Sequence, residues 1–189
     1  MKIITPQDER WPLLEMPSQP CSIPISPEDE AAIAQMNDLL IDLGDSAVGL
    51  AAVQIGYPKQ IFLLKEGGEN NVYINPCILK VSKELKKDGE GCLSLPGMGV
   101  VFKRPKTVDL QYYNISGELK TKTFHGLAAR AALHEMNHLG GRLISKELEK
   151  QMMAQPKRSK FGMVLSQHRI NKIEARRAKK KRAKRLRSH

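Results

Sequence analysis

Apolar positions recur along this chain in two rhythms, and the change from one to the other marks its elements. Residues 1–25 follow neither, because Pro6, Pro12, Pro17, Pro20 and Pro24 interrupt them, and irregular backbone is expected there. Ile33, Met36, Leu40 and Leu43 then return at helical spacing. Ser26 is placed to cap that helix, Pro27 suits its first turn, Glu28, Asp29 and Glu30 complement its N-terminus, and Gly44 ends it. Short segments follow that read as strands: Gln60 to Leu64, Asn71 to Asn75, Cys77 to Val81, Val100 to Lys103, Thr107 to Tyr113 and Glu118 to Phe124. Asn114-Ile115-Ser116-Gly117 is the turn between the last two, and the alternation from Leu119 to Phe124 predicts one wet face. Gly126 to Leu133 is rich in strong helix formers, and Gly140-Gly141 stops the helix they begin. A thin stripe of Met163, Gln167, Ile170 and Ile173 predicts a last helical stretch from about Phe161.

Charge separates that last stretch from the rest. The whole chain carries +11, yet residues 171–189 hold ten Lys or Arg against Glu174 alone. The preceding 170 residues are close to neutral, so the high isoelectric point belongs to the tail and the body is no general nucleic-acid binder. The chain is expected to be a catalytic domain over residues 1–160 with a basic helical tail over 161–189. Met1 to Pro20 has no apolar run of the signal-peptide kind, and no stretch is long and apolar enough for a membrane span. Three cysteines, Cys21, Cys77 and Cys92, are too few and too odd in number for a disulfide framework. A cytoplasmic protein is expected.

The candidate chemistry lies in the helix after Gly126. His134-Glu135-Met136-Asn137-His138 sets two imidazoles four residues apart, one turn above the other on one face, where both reach one metal ion. Glu135 is then placed to move a proton of an activated water. Two ligands do not complete a site, and Ile144 occupies the place where the extended metalloprotease pattern would put a third histidine. Cys92, within Gly89-Glu90-Gly91-Cys92-Leu93-Ser94-Leu95-Pro96-Gly97, reads either as a buried packing residue or as a thiolate completing a His₂Cys set with one position open. Gln54, alone among the small apolar residues from Ala47 to Gly56, reads either as a buried side chain bonded to backbone or as an amide donor to a polarised oxygen. Gly49 would let a substrate backbone approach closely.

Three of these segments, Gly49-Leu50-Ala51-Ala52-Val53-Gln54-Ile55-Gly56, Glu90-Gly91-Cys92-Leu93-Ser94-Leu95-Pro96 and His134-Glu135-Met136-Asn137-His138-Leu139, resemble in order the three signature motifs of peptide deformylases. The resemblance implies an α+β fold, antiparallel β-sheets packed around a central helix that carries the HExxH motif. It implies a metal-dependent hydrolase that removes the N-formyl group from the N-terminal formyl-methionine of nascent polypeptides and releases formate. Carried over by position, Cys92, His134 and His138 would be metal ligands and Glu135 the general base and acid. Gln54 and the backbone N–H of Leu93 would stabilise the oxyanion. The family commonly uses Fe²⁺, and Zn²⁺, Ni²⁺ or Co²⁺ also occupy such sites. Leu127 and Ala131 precede His134 by seven and three residues and share its face. With Val48 they would line a pocket for the methionine side chain, while the peptide pairs with the extended chain at Gly49.

Asn137 stands where the family usually has aspartate, Ala47 where it usually has glycine, and the neighbourhood of Gly99 lacks an arginine that some members carry. Two other classes compete: another metal-dependent amidase or peptidase, and a non-catalytic ribosome- or RNA-binding protein whose tail docks on rRNA. No aromatic residue is interleaved with the tail's charges, which argues against base stacking.

Overall fold

The computed structural model describes residues 2–145. The sequence-predicted tail helix and the domain boundary at residue 160 lie outside the described residues. Within them, helix α1 (Pro27–Asp42) is followed by strands β1 (Gly49–Ala51), β2 (Ile61–Glu66), β3 (Glu69–Val81), β4 (Leu85–Gly91), β5 (Gly99–Pro105), β6 (Thr107–Tyr113) and β7 (Leu119–His125), and then by helix α2 (Gly126–Leu139). Five strands form one antiparallel sheet in the order β1-β2-β3-β6-β7, and β4 and β5 form a separate two-stranded ribbon. This is the α+β architecture that the motifs implied.

The capping signals of α1 act as read. Ser26 accepts from the Asp29 N–H while Asp29 accepts from the Ser26 N–H, a reciprocal capping box. Alternation along β2 explains how the sheet serves two helices. Ile61 and Leu63 point to one face, where Ile33, Met36 and Leu40 of α1 pack. Phe62 and Leu64 point to the other, where Ala129, Ala132 and Leu133 of α2 pack with Tyr73, Val108 and Phe124. The sheet is thus a middle layer, with α1 beneath and the histidine-bearing helix above.

Two readings of the strands change. Asn71 to Asn75 and Cys77 to Val81 belong to one strand, β3, which is bent rather than divided. Asn75 takes a positive φ of 48°, and the pairing with β6 slips between Ile74 and Cys77. The Asn75 side chain holds the bend by bonding both ways with the backbone of Cys21. Strand β4, Leu85-Lys86-Lys87-Asp88-Gly89-Glu90-Gly91, escapes sequence reading because nearly all of it is exposed and it has no apolar alternation.

The segment before α1 folds back under the end of α2. Ser18 N–H donates to the Leu139 carbonyl, and Pro17 bridges Gly140. Gly141, with φ of +66°, presses so closely that a Cβ would lie 2.7 Å from the Glu15 carbonyl oxygen and 2.8 Å from the Met16 carbonyl carbon. Neither is a side chain that could swing aside. At neighbouring Gly140 the nearest atoms would lie 3.4 Å away or more. Gly141→Ala is therefore expected to cost several kcal/mol in urea unfolding, above the about 1 kcal/mol of an ordinary substitution, and Gly140→Ala little. Equal midpoints for the two variants would refute this close contact.

Candidate metal centre

Helix α2 begins where His125 leaves β7 in extended conformation, and its packing on the sheet fixes which face turns inward. His134 and His138 lie on the face opposite to solvent, 8% and 1% exposed. Cys92 comes from elsewhere, immediately after β4, and is also buried. The donor atoms of these three residues lie within 4.8 Å of one another, and Cys92 Sγ is 3.3 Å from His138 Nε2. Two donors from one helix and one from the ribbon's end make an open three-ligand set, the arrangement a catalytic divalent ion takes. The set fits an ion on a second count. Glu135 Oε2, buried on the same helix as the two histidines, has no hydrogen-bond partner among the described residues.

A carboxylate absent from the sequence-derived roles orients the first histidine. Glu90 Oε2 lies 3.2 Å from His134 Nδ1, so a proton on Nδ1 leaves the other ring nitrogen for a metal. Glu90 is itself gripped by two arginines. Arg104 bonds both its oxygens through Nε and Nη2, and Arg130 Nη1 reaches Oε1 at 2.7 Å. Burial would raise the Glu90 pKa, but hydrogen bonds from His134 and Arg104 outweigh it and hold it down at about 2. The two imidazoles diverge. Burial disfavours charge on both, yet bonds from Cys92 and Glu90 hold His134 upward, while His138, repelled by His134 and Arg104, is pushed down. Metal loading must displace the proton that His134 holds, so it competes with acid.

Glu135 is 3% exposed, and burial pushes its carboxyl up to about 7, where a group both takes and returns protons near neutrality. Gln54, 1% exposed, shares this buried region. Its Oε1 accepts from the Ala51 N–H at 2.9 Å, which turns its Nε2 towards Ser94 Oγ at 3.2 Å and Cys92 Sγ at 3.8 Å. The amide donor therefore faces the metal ligands. The bonding of Gln54 to backbone and its donor orientation turn out to be one arrangement. A cavity of about 470 Å³ brings together Val48, Gly49, Gln54, Cys92, Leu93, Leu127, Ala131, His134 and Glu135. Leu127 and Val48 stay 66% and 38% exposed at its mouth.

The departures from the family pattern acquire local settings. Ala47 is buried with φ −128° and ψ 131°, extended backbone that alanine adopts without strain. Asn137, with its amide oxygen turned to Arg104, accepts from Nη1 and Nη2 at 3.2 and 3.3 Å. Ile144 is buried in an apolar cluster with Cys92, Leu95, Val100 and Phe102, where its alkyl side chain packs and offers no metal donor. Sequence reasoning gave no role to Glu90, Ser94, Arg104 or Arg130. Only Arg130 left a usable signal, a lone cation amid alanines one turn before His134 and on its face.

Comparison with known proteins converges on one family. The family model for polypeptide deformylase matches residues 1–153. The peptide deformylase of Agrobacterium fabrum is 37% identical over 119 residues, spanning 60% of this chain and 70% of that protein. The crystal structure of peptide deformylase from Thermotoga maritima superposes with a TM-score of 0.70 at 32% identity, covering 77% of this chain and 95% of its own. A class I type b peptide deformylase from Acinetobacter baumannii with Met-Ala-Ser bound gives a TM-score of 0.69 at 25% identity, covering 77% and 96%.

Gly49 has a nearer neighbour than any substrate. A Cβ there would lie 2.8 Å from Glu135 Oε1, 2.6 Å from Leu64 Cδ2 and 3.1 Å from the Leu63 carbonyl oxygen. The Leu64 side chain can rotate, but the carboxylate would have to leave its place. Gly49→Ala is expected to lower kcat about 10²-fold, the scale of a misplacement near 1 Å, with bound metal unchanged. Wild-type kcat in that variant would refute the packing of Glu135 on this glycine.

Proposed function

Because the chain belongs to the peptide deformylase family, we propose that its reaction is carried by Glu135, Gln54 and Leu93 at a divalent ion held by Cys92, His134 and His138. The protein is a metal-dependent hydrolase that removes the N-formyl group from nascent polypeptides. The observation that carries the assignment of roles is that two of the three clustered buried donors, Cys92 and His134, line one cavity together with Glu135 and Gln54.

When bound, a divalent ion supplies Lewis-acid charge that polarises a carbonyl and makes hydroxide available near neutral pH. The residues do the rest. Glu135 takes the proton of the attacking water and returns it to the leaving amine, a task suited to its raised pKa. Gln54 Nε2 and the Leu93 N–H meet the negative charge that grows on the former formyl oxygen. Release of formate leaves a free amino terminus. Val48, Leu127 and Ala131 form the apolar wall for the methionine side chain, and Gly49 opens the edge strand β1 to pair with the peptide backbone. The Acinetobacter relative, with Met-Ala-Ser bound, supports a peptide headed by methionine as the ligand class. Fe²⁺ is the ion we assign, with Zn²⁺, Ni²⁺ and Co²⁺ as chemically compatible replacements for a mixed imidazole and thiolate set.

The reaction is assigned to the cytoplasm, where nascent chains emerge. The cysteines are all free, and no helix of the described residues is long and apolar enough to cross a membrane. Within the proposed division into a catalytic domain, residues 1–160, and a tail, residues 161–189, the ten cations against one acidic group over residues 171–189 would hold the enzyme on rRNA near its substrate.

Formate release from a formyl-methionyl peptide by anaerobically purified protein should vanish on chelation and return with Fe²⁺ or Ni²⁺. Metal-loaded Gln54→Ala should lose about 10²–10³-fold in kcat and Glu135→Ala more. Near-normal turnover by metal-loaded Glu135→Ala would sink the assignment. Deleting residues 171–189 should abolish salt-sensitive ribosome binding and spare short-peptide turnover; unchanged binding dismisses the tail's role.

A further inference from the structure

The ribbon β4–β5 belongs to no larger sheet, and β4 is exposed along most of its length. Two strands by themselves are marginal in water. Yet this ribbon delivers Cys92, the one metal donor that α2 does not carry, so its distance from α2 decides whether the three donors meet. Apolar contact supplies part of the attachment, since Val100 and Phe102 are buried with Cys92. Beside the Glu90–His134 bond, the polar part converges on Arg130. This residue precedes His134 by one helical turn, is 5% exposed, and reaches four acceptors. Its Nη1 donates to Glu90 Oε1 at 2.7 Å and to the Asp88 carbonyl at 3.2 Å. Its Nη2 donates to the Lys86 carbonyl at 2.8 Å and the Phe102 carbonyl at 3.3 Å.

Three of those four acceptors are main-chain oxygens, drawn from both strands. They fix the path of the ribbon itself, whereas the fourth fixes the carboxylate that orients His134. We propose that Arg130 is a positioning residue that sets the separation between Cys92 and the two histidines, and so governs how tightly the site holds its metal. The inference rests on the metal-site reading above. A planar fork is needed because the acceptors lie on two strands at once; the point charge of a lysine cannot reach them together.

The test loads Co²⁺ into wild type, Arg130→Lys and Ala132→Gly. Ala132 is buried among the sheet-side residues, so its substitution loosens α2 without touching the ribbon. Three quantities are read: the Co²⁺ dissociation constant against a competing chelator, the thiolate-to-cobalt charge-transfer band that reports Cys92, and the melting temperature of the metal-free protein. Arg130→Lys is expected to raise the dissociation constant about 10–100-fold, the scale for partners that orient metal ligands, and to weaken the thiolate band. Ala132→Gly should lower the melting temperature while leaving both metal readouts near wild type. A wild-type dissociation constant and band in Arg130→Lys, or an equal rise in Ala132→Gly, would overturn the proposal. Failure of the wild type itself to bind Co²⁺ would overturn the metal-site reading first, and this one with it. Should Arg130→Lys not fold, hydrogen exchange of wild type decides instead. Metal loading should slow exchange at the amides of Lys86 to Gly91, and unchanged exchange there refutes the coupling.

Discussion

One buried carboxylate joins the parts that have to meet. Glu90 leaves the end of β4, takes Arg104 from the neighbouring strand and Arg130 from α2, and turns its second oxygen to His134. Burying such charges is expensive unless each is answered, and here every partner is itself nearly inaccessible. Removing one member strands the others, so the cluster behaves as a unit rather than a sum of pairs. It has the character of a registry device: it specifies one alignment of ribbon against helix, and the metal site inherits that alignment. Asn137 belongs to the same unit, because with a neutral amide there Arg104 has only one carboxylate to answer, and it spends both of its closest bonds on Glu90.

What the sequence revealed and what it concealed divide along physical lines. Motifs whose chemistry depends on spacing within one element were legible: His134 and His138 one turn apart, Glu135 between them, the cap at Ser26, the stop at Gly140-Gly141. Strands with apolar alternation, such as β6, were legible to the residue. The ribbon strand β4 was not, because all but Glu90 of its residues are exposed and nothing periodic marks it. The Glu90 cluster was hidden for another reason. Its members lie 14, 40 and 44 residues from Glu90, and only folding shows that two arginines and a histidine converge on one carboxylate. Gln54 falls between. Its isolation among small apolar residues flagged it, but the bond to Ala51 that aims its amide required the structure.

The sheet explains why the site tolerates so open a mouth. Its interior faces are filled by α1 on one side and α2 on the other, so stability is drawn from two apolar clusters that do not include the rim residues Leu127 and Val48. Leu127 and Val48 can then remain exposed at the rim without endangering the fold. Exposed apolar groups beside a polar, ligand-bearing floor are what a peptide with one large hydrophobic side chain requires.

The return of residues 15–18 beneath the end of α2 carries a consequence for the protein's own synthesis. The Ser18 amide waits for the Leu139 carbonyl, and Gly141 seats on Glu15 and Met16, contacts that span more than a hundred positions of chain. Such pairings close only after both ends have left the ribosome. A chain of this kind cannot finish its own catalytic helix until translation has passed its last signature motif.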